Sequence, residues 1–289
     1  MKILILGKGG QVGRSLTAQL PEAVAVGRQE ADLEQPETIQ SAIDRYRPEV
    51  IVNAAAYTNV DAAESDRDRA WAINATALEA VGTVAKRNGI LVVHYSSDYV
   101  YPGPGREFQA ETEPTGPLSV YGASKLAGDM ALAQSGADHI ILRTSWVYSA
   151  EGRNFPLTLL RLAGERETLN VVDDQFGAPT SAKLIAEITR QVIARRELGL
   201  YHLAASGETN WYELARFLLA QAQAAGAALA LRLENIRPIP ASDYPAKATR
   251  PENSRLDTSK LRQTFGLTLP SWQDGITELI ATLAAKGWL

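Results

Sequence analysis

Short apolar runs alternate with longer amphipathic stretches along the first half of the chain. Such runs, each followed by a polar turn and a stretch with helical periodicity, are typical of strands buried on both faces of a parallel sheet. The runs lie at residues 2–6, 24–26, 49–53, 89–95 and 139–142. Their alternation with helices predicts an α/β fold with a doubly wound, Rossmann-type parallel sheet.

The pattern becomes less regular after about Val147. Helices are predicted at residues 155–163, 182–194, 211–224 and 272–285, a strand at 199–203, and mostly loop at 237–253. The sequence therefore predicts a dinucleotide-binding domain over 1–147. Residues 148–289 are predicted to form a smaller, partly helical substrate-binding lobe, with some segments returning to the first domain.

Three glycines follow the first predicted strand at a spacing that suits a dinucleotide. Gly7 permits a tight turn, Gly10 lets a diphosphate approach the backbone, and Gly13 allows helix and strand to pack closely. The N–H groups of Gln11 and Val12 would then point at the phosphates. A glycine-rich loop in this position between strand and helix favours dinucleotide binding.

The end of the second predicted strand bears on the choice between NAD and NADP. An acidic residue there would bind the ribose hydroxyls of NAD, but the sequence reads Gly27-Arg28. Because a guanidinium suits a 2′-phosphate, Arg28 favours NADPH, with NADH also accepted; Glu30 nearby weakens the distinction. Farther along, a single bent helix is predicted from Asp61 to about Arg87.

A tyrosine and a lysine, Tyr121 and Lys125, lie four residues apart on a predicted helix, so their side chains share one face. An ammonium held near a phenol lowers its pKa and makes it a better acid–base catalyst. This spacing is common by chance, so it gains weight only from hydroxyl and cofactor sites elsewhere. Ser97 supplies the hydroxyl at the carboxyl end of the fourth predicted strand, where open parallel sheets bind ligands.

Composition narrows the function further. The 289-residue chain has no cysteine, three histidines far apart in sequence and a net charge of −4 without a long basic stripe. Thiolate chemistry and cysteine-ligated zinc are excluded, no metal site is predicted, and nucleic acid is not an expected partner. Without a membrane-length apolar run or a signal peptide, we expect no membrane association and a cytoplasmic enzyme.

Taken together, these motifs resemble the extended short-chain dehydrogenases/reductases, and in particular their reductases of nucleotide-linked 4-keto-6-deoxyhexoses. The resemblance covers nearly the whole chain. It rests on residues 7–13, 52–56, 95–103, 117–122, 143–148, 174–180 and 250–256, in addition to Tyr121-x-x-x-Lys125. It implies NADPH-dependent reduction of a sugar ketone at C4, with a nucleotide sugar as the small-molecule substrate.

The resemblance also assigns roles position by position. It implies a catalytic set of Ser97, Tyr121 and Lys125, and substrate contacts from Ser97, Asp98 and Trp146. The cofactor residues that follow from the turn and from the resemblance are Gly7, Gly10, Gln11, Val12, Arg28, Asp32, Leu33, Ala56, Tyr57, Thr58, Tyr95, Tyr121 and Lys125. Many members carry threonine at the position of Ser97, and a hydroxyl is kept here.

Oligomeric state and function leave alternatives. Some members dimerise around a metal through an acidic residue early in the first helix; Arg14-Ser15 stands there, so a monomer or weak homodimer is expected. One alternative function is a nucleotide-sugar epimerase or dehydratase, which recycles a tightly held NAD. Another is a non-catalytic, NADP-binding regulatory subunit of methionine adenosyltransferase.

Overall fold

A computed structural model describes all residues, 1–289, and its centre is a six-stranded parallel sheet. In chain order the strands of this sheet are β1 (Ile3–Leu6), β2 (Val24–Val26), β3 (Val50–Asn53), β4 (Leu91–Ser97), β5 (His139–Thr144) and β10 (Gly199–His202). They lie in the spatial order β10-β5-β4-β3-β1-β2. The reversal of strand order beside β1 is the topological switch point at which such sheets bind ligands, which confirms the predicted fold class.

Helices cover both faces of this sheet. They are α1 (Gln11–Gln19), α2 (Pro36–Tyr46), α3 (Val60–Ala63), α4 (Arg67–Trp71), α5 (Ala77–Asn88) and α6 (Val120–Gln134) in the first half. In the second half they are α7 (Phe155–Glu165), α8 (Ala182–Arg195), α9 (Trp211–Ala224), α10 (Ser259–Phe265) and α11 (Trp272–Ala285). None of them is long and apolar enough to cross a membrane.

Alternating strand residues supply two separate cores. Ile3 and Ile5 of β1 face a core that continues into the second half of the chain, whereas Leu4 and Leu6 face a core formed with α2 and α5. This division follows from the two-residue period of a strand, which sends successive side chains to opposite faces. The larger core is continuous from the sheet to α9 and α11, so the second half is firmly joined to the nucleotide-binding sheet.

The second half contributes small sheets around the site. Its short strands are β6 (Val147–Tyr148), β7 (Leu169–Val172), β8 (Phe176–Gly177), β9 (Thr180–Ser181), β11 (Thr209–Asn210) and β12 (Ile236–Ile239). β12 pairs in parallel with β7, within a stretch expected to be mostly loop. The missed pairing is non-local, and Pro238 on β12 had favoured loop because proline lacks an N–H for a ladder.

The bent helix expected from Asp61 to about Arg87 is interrupted at residues 64–66, between α3 and α4, and from Arg67 to Asn88 it runs on without a break through a π-helical turn at residues 72–76. The turn carries Asn74, whose carbonyl oxygen would lie 2.0 Å from a Cβ added at Gly128 of α6. Glycine at 128 therefore lets α6 approach the π turn. Such turns are frequent at functional sites.

A proline- and glycine-rich segment, residues 102–117, is tied to the far end of the chain. Gly103 accepts a hydrogen bond from the Asn253 N–H at 2.9 Å, and Gln109 donates to the Arg255 carbonyl at 2.8 Å. Asn253 Nδ2 also donates to the Glu107 carbonyl at 2.8 Å. These contacts fix the segment against residues 251–256 beside the carboxyl ends of the central strands.

Candidate active site

The glycine turn after β1 has the geometry that dinucleotide binding requires. Gly7 has φ +90°, and a Cβ there would lie 2.8 Å from the Ala55 nitrogen. A Cβ at Gly13 would lie 2.0 Å from the Gly7 carbonyl oxygen, whereas one at Gly10 would meet nothing nearer than 3.5 Å. Gly7 and Gly13 therefore permit the tight packing, and Gly10 leaves open backbone for a ligand.

The start of α1 leaves backbone donors free. No side chain caps this helix at Gly10, so the N–H groups of its first turn, including Gln11 and Val12, have no side-chain acceptor. Gln11 instead turns its side chain toward the second half, where its Oε1 accepts from Asn154 Nδ2 at 2.8 Å and from Ser149 Oγ at 3.0 Å. The turn is thus both suited to an anion and anchored to the start of α7.

Arg28 lies just past β2 and is exposed, at the place where the adenosine ribose would lie. Its Nε donates to Asp32 Oδ2 at 2.9 Å, and its guanidinium also pairs with Glu34. These carboxylates raise the pKa of Arg28, chiefly through the Asp32 hydrogen bond. Leu33, between the two carboxylates, is buried. A 2′-phosphate would compete with Asp32 and Glu34 for the guanidinium.

The loop after β3 is held in place from the π turn. Asn74 Oδ1 accepts from the Tyr57 N–H at 2.9 Å, and Asn74 Nδ2 donates to the Tyr57 carbonyl at 3.0 Å and to Ser124 Oγ at 3.0 Å. The flanking Ala56 is partly buried and Thr58 is exposed. The two hydrogen bonds between the Asn74 side chain and the Tyr57 backbone fix the loop of small residues beside the glycine turn.

Ser97 and Tyr121 face each other at the carboxyl end of β4. Ser97 Oγ donates to Asp98 Oδ1 at 3.0 Å and accepts from the Tyr99 N–H at 3.1 Å. Tyr121 lies in the first turn of α6, whose cap is Ser119, and its ring packs edge-on against Tyr99 at 5.7 Å between centroids. The two predicted hydroxyls are therefore brought to one place.

The pKa of Tyr121 is raised to about 12, because burial disfavours the phenolate more than a hydrogen bond with Ser97 favours it. The expectation that a nearby ammonium lowers this pKa is wrong for the protein as it stands. Lys125 Nζ does not reach the phenol; it donates to the Tyr95 carbonyl at 2.7 Å and lies 3.1 Å from His94 Nε2. Tyr121 is held as a protonated donor.

Tyr95 contributes to the site with its backbone. Its phenol packs in the larger core, and its hydroxyl lies 2.7 Å from Thr189 Oγ1 on α8. Its carbonyl oxygen accepts a hydrogen bond from Lys125. The contact of Tyr95 with the cofactor stays a prediction, and the buried ring leaves only the backbone of this residue for it.

Asp98 and Trp146, the other two residues expected to meet the substrate, follow the carboxyl ends of β4 and β5. Asp98 is buried, its Oδ2 has no hydrogen-bond partner, and burial raises its pKa to about 6. Trp146 adopts φ +48° and stacks on Trp211 of α9, with ring centroids 3.6 Å apart and planes 14° apart. A left-handed backbone is uncommon for a bulky residue, and here the stacked ring stabilises it.

Beneath the site lies a buried ionic network that sequence reasoning missed. Arg143 Nε donates to Asp129 Oδ2 at 3.1 Å, and Arg143 Nη1 donates to the Tyr101 hydroxyl at 2.8 Å. The Tyr101 hydroxyl in turn lies 2.7 Å from His202 Nε2 on β10. Asp129 sits one helical turn beyond Lys125, so the network fixes the face of α6 that carries Lys125.

Sequence reasoning also missed Asn53, His94 and Asn74 as parts of the site. Asn53 and His94 are opposite each other in the pairing of β3 with β4, and both are buried. A signal was present, since Asn53 and His94 are polar residues inside otherwise apolar strand runs. Burying a polar group is costly unless it is hydrogen-bonded, so such residues mark a partner that the sequence alone does not identify.

A Rossmann-type sheet with a glycine turn and a serine, tyrosine and lysine grouped at the strand ends defines the class of short-chain dehydrogenases/reductases. Comparison with known proteins is more specific. Residues 1–285 match the family model described as RmlD substrate binding domain, and the chain belongs to this family.

Several similar proteins are named dTDP-4-dehydrorhamnose reductase. The dTDP-4-dehydrorhamnose reductase of Escherichia coli K12 is 46 % identical over 98 % of both chains. That of Burkholderia thailandensis is 45 % identical over 99 % of this chain and 100 % of its own. The crystal structure of the Bacillus anthracis enzyme in complex with NADP superposes with a TM-score of 0.91, at 31 % identity, over 97 % of this chain and 99 % of that one.

Proposed function

We propose that this protein reduces the C4 keto group of dTDP-4-dehydro-L-rhamnose with NADPH, giving dTDP-L-rhamnose. The observation that carries the proposal is the grouping of Ser97, Tyr121 and Lys125 at the strand ends beside the glycine turn. It is supported by identities of 45–46 % over nearly the whole chain with reductases of that name.

The reaction needs one hydride and one proton. NADPH supplies the hydride, which forms the new C4–H bond and becomes part of a secondary alcohol, while the cofactor is oxidised to NADP⁺. Tyr121 gives its phenolic proton to the oxygen as negative charge develops there, and Ser97 donates a hydrogen bond to the same oxygen. The raised pKa of Tyr121 keeps that proton on the phenol until the charge appears.

The residues around the glycine turn suit the cofactor. Gly7 and Gly10 shape the turn, and the free N–H groups of Gln11 and Val12 hold the diphosphate. Asp32 and Leu33 border the adenine. The path toward the nicotinamide is lined by Ala56, Tyr57 and Thr58, and the Tyr95 backbone lies beside that path. Tyr121 and Lys125 hold the ribose of the nicotinamide. Arg28 binds the 2′-phosphate of NADPH; because Asp32 and Glu34 already neutralise it, NADH is tolerated.

The substrate side is formed by Ser97, Asp98 and Trp146, together with the lobe that residues 148–289 mainly supply. Asp98 offers an unpartnered carboxylate oxygen to a sugar hydroxyl, and Trp146 offers a flat apolar face stiffened by Trp211. We place this activity in the cytoplasm, in a monomer or weak homodimer, and assign no metal to it.

An NADPH oxidation assay with dTDP-4-dehydro-L-rhamnose tests the proposal. The expected result is stoichiometric oxidation of NADPH and a product heavier by two hydrogens, with the L-rhamno configuration at C4. Protein that purifies with bound NAD and interconverts nucleotide sugars without consuming NADPH would instead be an epimerase or dehydratase. Binding of NADP without any sugar reduction would favour the alternative of a non-catalytic regulatory subunit.

A further inference from the structure

A buried hydrogen-bond chain runs from the backbone beside the glycine turn to Lys125. The Ala55 N–H donates to Asn53 Oδ1 at 3.1 Å, and Asn53 Nδ2 lies 3.2 Å from His94 Nδ1. His94 Nε2 lies 3.1 Å from Lys125 Nζ, which also donates to the Tyr95 carbonyl at 2.7 Å. Asn53 and His94 are each 1 % exposed and Lys125 is 2 % exposed, so water does not compete with these bonds.

The Ala55 N–H, the first donor, fixes the direction of every hydrogen bond in this series. A backbone N–H can only donate, so the oxygen of the Asn53 amide must face Ala55 and its NH₂ group must face His94. His94 Nδ1 must then accept, which places the single proton of the neutral imidazole on Nε2. The ring is neutral because burial holds the pKa of His94 well below its ordinary value.

That direction has a consequence for Lys125. His94 Nε2–H points at Nζ, and an ammonium has no lone pair to accept it, whereas a neutral amine has one. A protonated Lys125 would require the Nδ1–H tautomer of His94, whose proton would face the NH₂ group of Asn53. Turning the amide over would instead place its NH₂ against the Ala55 N–H. Either arrangement buries two opposed donors.

Few charges oppose this preference. The titratable and charged groups that act on Lys125 are His94 of β4, whose Nε2 lies 3.1 Å from Nζ, and Asp129, one helical turn along α6. Of these, Asp129 favours the ammonium, but its carboxylate is already paired with Arg143 at 3.1 Å. Burial, the larger effect, lowers the pKa of Lys125 to about 8.

We propose that Asn53 and His94 are positioning residues for Lys125: directed by the Ala55 N–H, they hold its amine against the Tyr95 carbonyl and favour its neutral form. This deepens the role of Lys125 and depends on the proposed function only where turnover is concerned. The chain also links Lys125 to the turn, because Ala55 packs directly against Gly7.

The test is the tautomer of His94, read from ring ¹⁵N NMR of the whole protein without added ligand. Only three histidines are present, and a His94→Gln variant assigns the signal. Above the pKa of Lys125, the expected spectrum shows Nε2 protonated and Nδ1 unprotonated. A wild-type spectrum with Nδ1 protonated would overturn the proposal.

Asn53→Asp should reverse the direction of the hydrogen bonds between residue 53, His94 and Lys125 with almost no change in side-chain shape. A carboxylate accepts from both the Ala55 N–H and His94 Nδ1–H, so Nε2 becomes an acceptor for the Lys125 ammonium. We expect the tautomer to invert and the pKa of Lys125, followed by NMR of its side-chain carbons, to rise by about one unit, a factor of about ten in its acid dissociation constant. A folded variant with an unchanged tautomer and an unchanged pKa would show that the chain is only structural.

Two further variants keep the test decisive. If Asn53→Asp does not fold, His94→Gln is used, because glutamine accepts either direction and should shift the pKa of Lys125 and the pH profile of turnover. His139→Gln is the matched control on β5, where the ring binds only the nearby Ala137 carbonyl at 2.9 Å, and it should shift neither. If His94 shows the expected tautomer but the protein reduces no sugar, the proposed function is refuted and the positioning role of Asn53 and His94 is supported.

Discussion

The phenol of Tyr121 is the group whose removal should separate chemistry from folding. Tyr121→Phe keeps the ring that packs edge-on against Tyr99 and removes only the hydroxyl. Proton donation in the transition state is worth about 10²- to 10⁴-fold in rate. At about 1.4 kcal/mol per factor of ten, the barrier should rise by about 3 to 5 kcal/mol.

The same change should scarcely affect stability. The hydroxyl interacts at most with Ser97, and the net contribution of one hydrogen bond to folding is about 1 kcal/mol. Cofactor affinity should stay near that of the wild type, because the glycine turn and Arg28 are untouched. The free energy of unfolding, the Kd for NADPH and single-turnover oxidation of NADPH are the three measurements.

Tyr148→Phe provides the matched control. Tyr148 is also a buried tyrosine, but its hydroxyl has no partner and it lies outside the group of Ser97, Tyr121 and Lys125. Its loss should leave turnover unchanged. A Tyr121→Phe enzyme that turns over within a few-fold of the wild type, with a normal control, would refute Tyr121 as the proton donor.

Three other changes test the cofactor turn, the cofactor preference and the buried carboxylate. Arg28→Ala should lower kcat/KM with NADPH about 10- to 100-fold and leave that with NADH nearly unchanged, because only NADPH loses a charge-assisted hydrogen bond to its 2′-phosphate. An unchanged NADPH/NADH ratio would remove Arg28 from the site. Gly13→Ala places a Cβ 2.0 Å from the Gly7 carbonyl oxygen and should raise the Kd for the cofactor at least about tenfold, because a displaced turn misorients its N–H donors. Gly9→Ala is the control, since a Cβ at Gly9 meets nothing within 4 Å. Equal effects of the two substitutions would contradict the packing argument. The raised pKa of Asp98 means that the folded protein binds its proton more tightly than the unfolded chain, so stability is lost as pH rises from about 4 through about 6, by up to about 3 kcal/mol. In Asp98→Asn this loss should vanish from urea unfolding curves at pH 4 and 7, and an unchanged difference between the two pH values would show that Asp98 does not titrate in that range.

The α/β class and the place of the glycine turn follow from local sequence. Runs such as Ile3–Leu6 specify strands buried on both faces, and the helix boundaries predicted at Trp211 and Trp272 agree with α9 and α11. These features depend on residues close together in the chain, where periodicity and caps act. The motif residues Ser97 and Tyr121 were recognisable for the same reason.

The partners of the buried polar groups were decided only by the tertiary structure. The sequence places Lys125 one helical turn from Tyr121, but the fold turns its amine to His94 and the Tyr95 carbonyl, so the pKa of Tyr121 is raised and not lowered. The π turn that carries Asn74 and the pairing of β12 with β7 likewise depend on residues far apart in the chain. Local pattern fixes which side chains are available, whereas burial and long-range pairing decide which of them meet and which protons they hold.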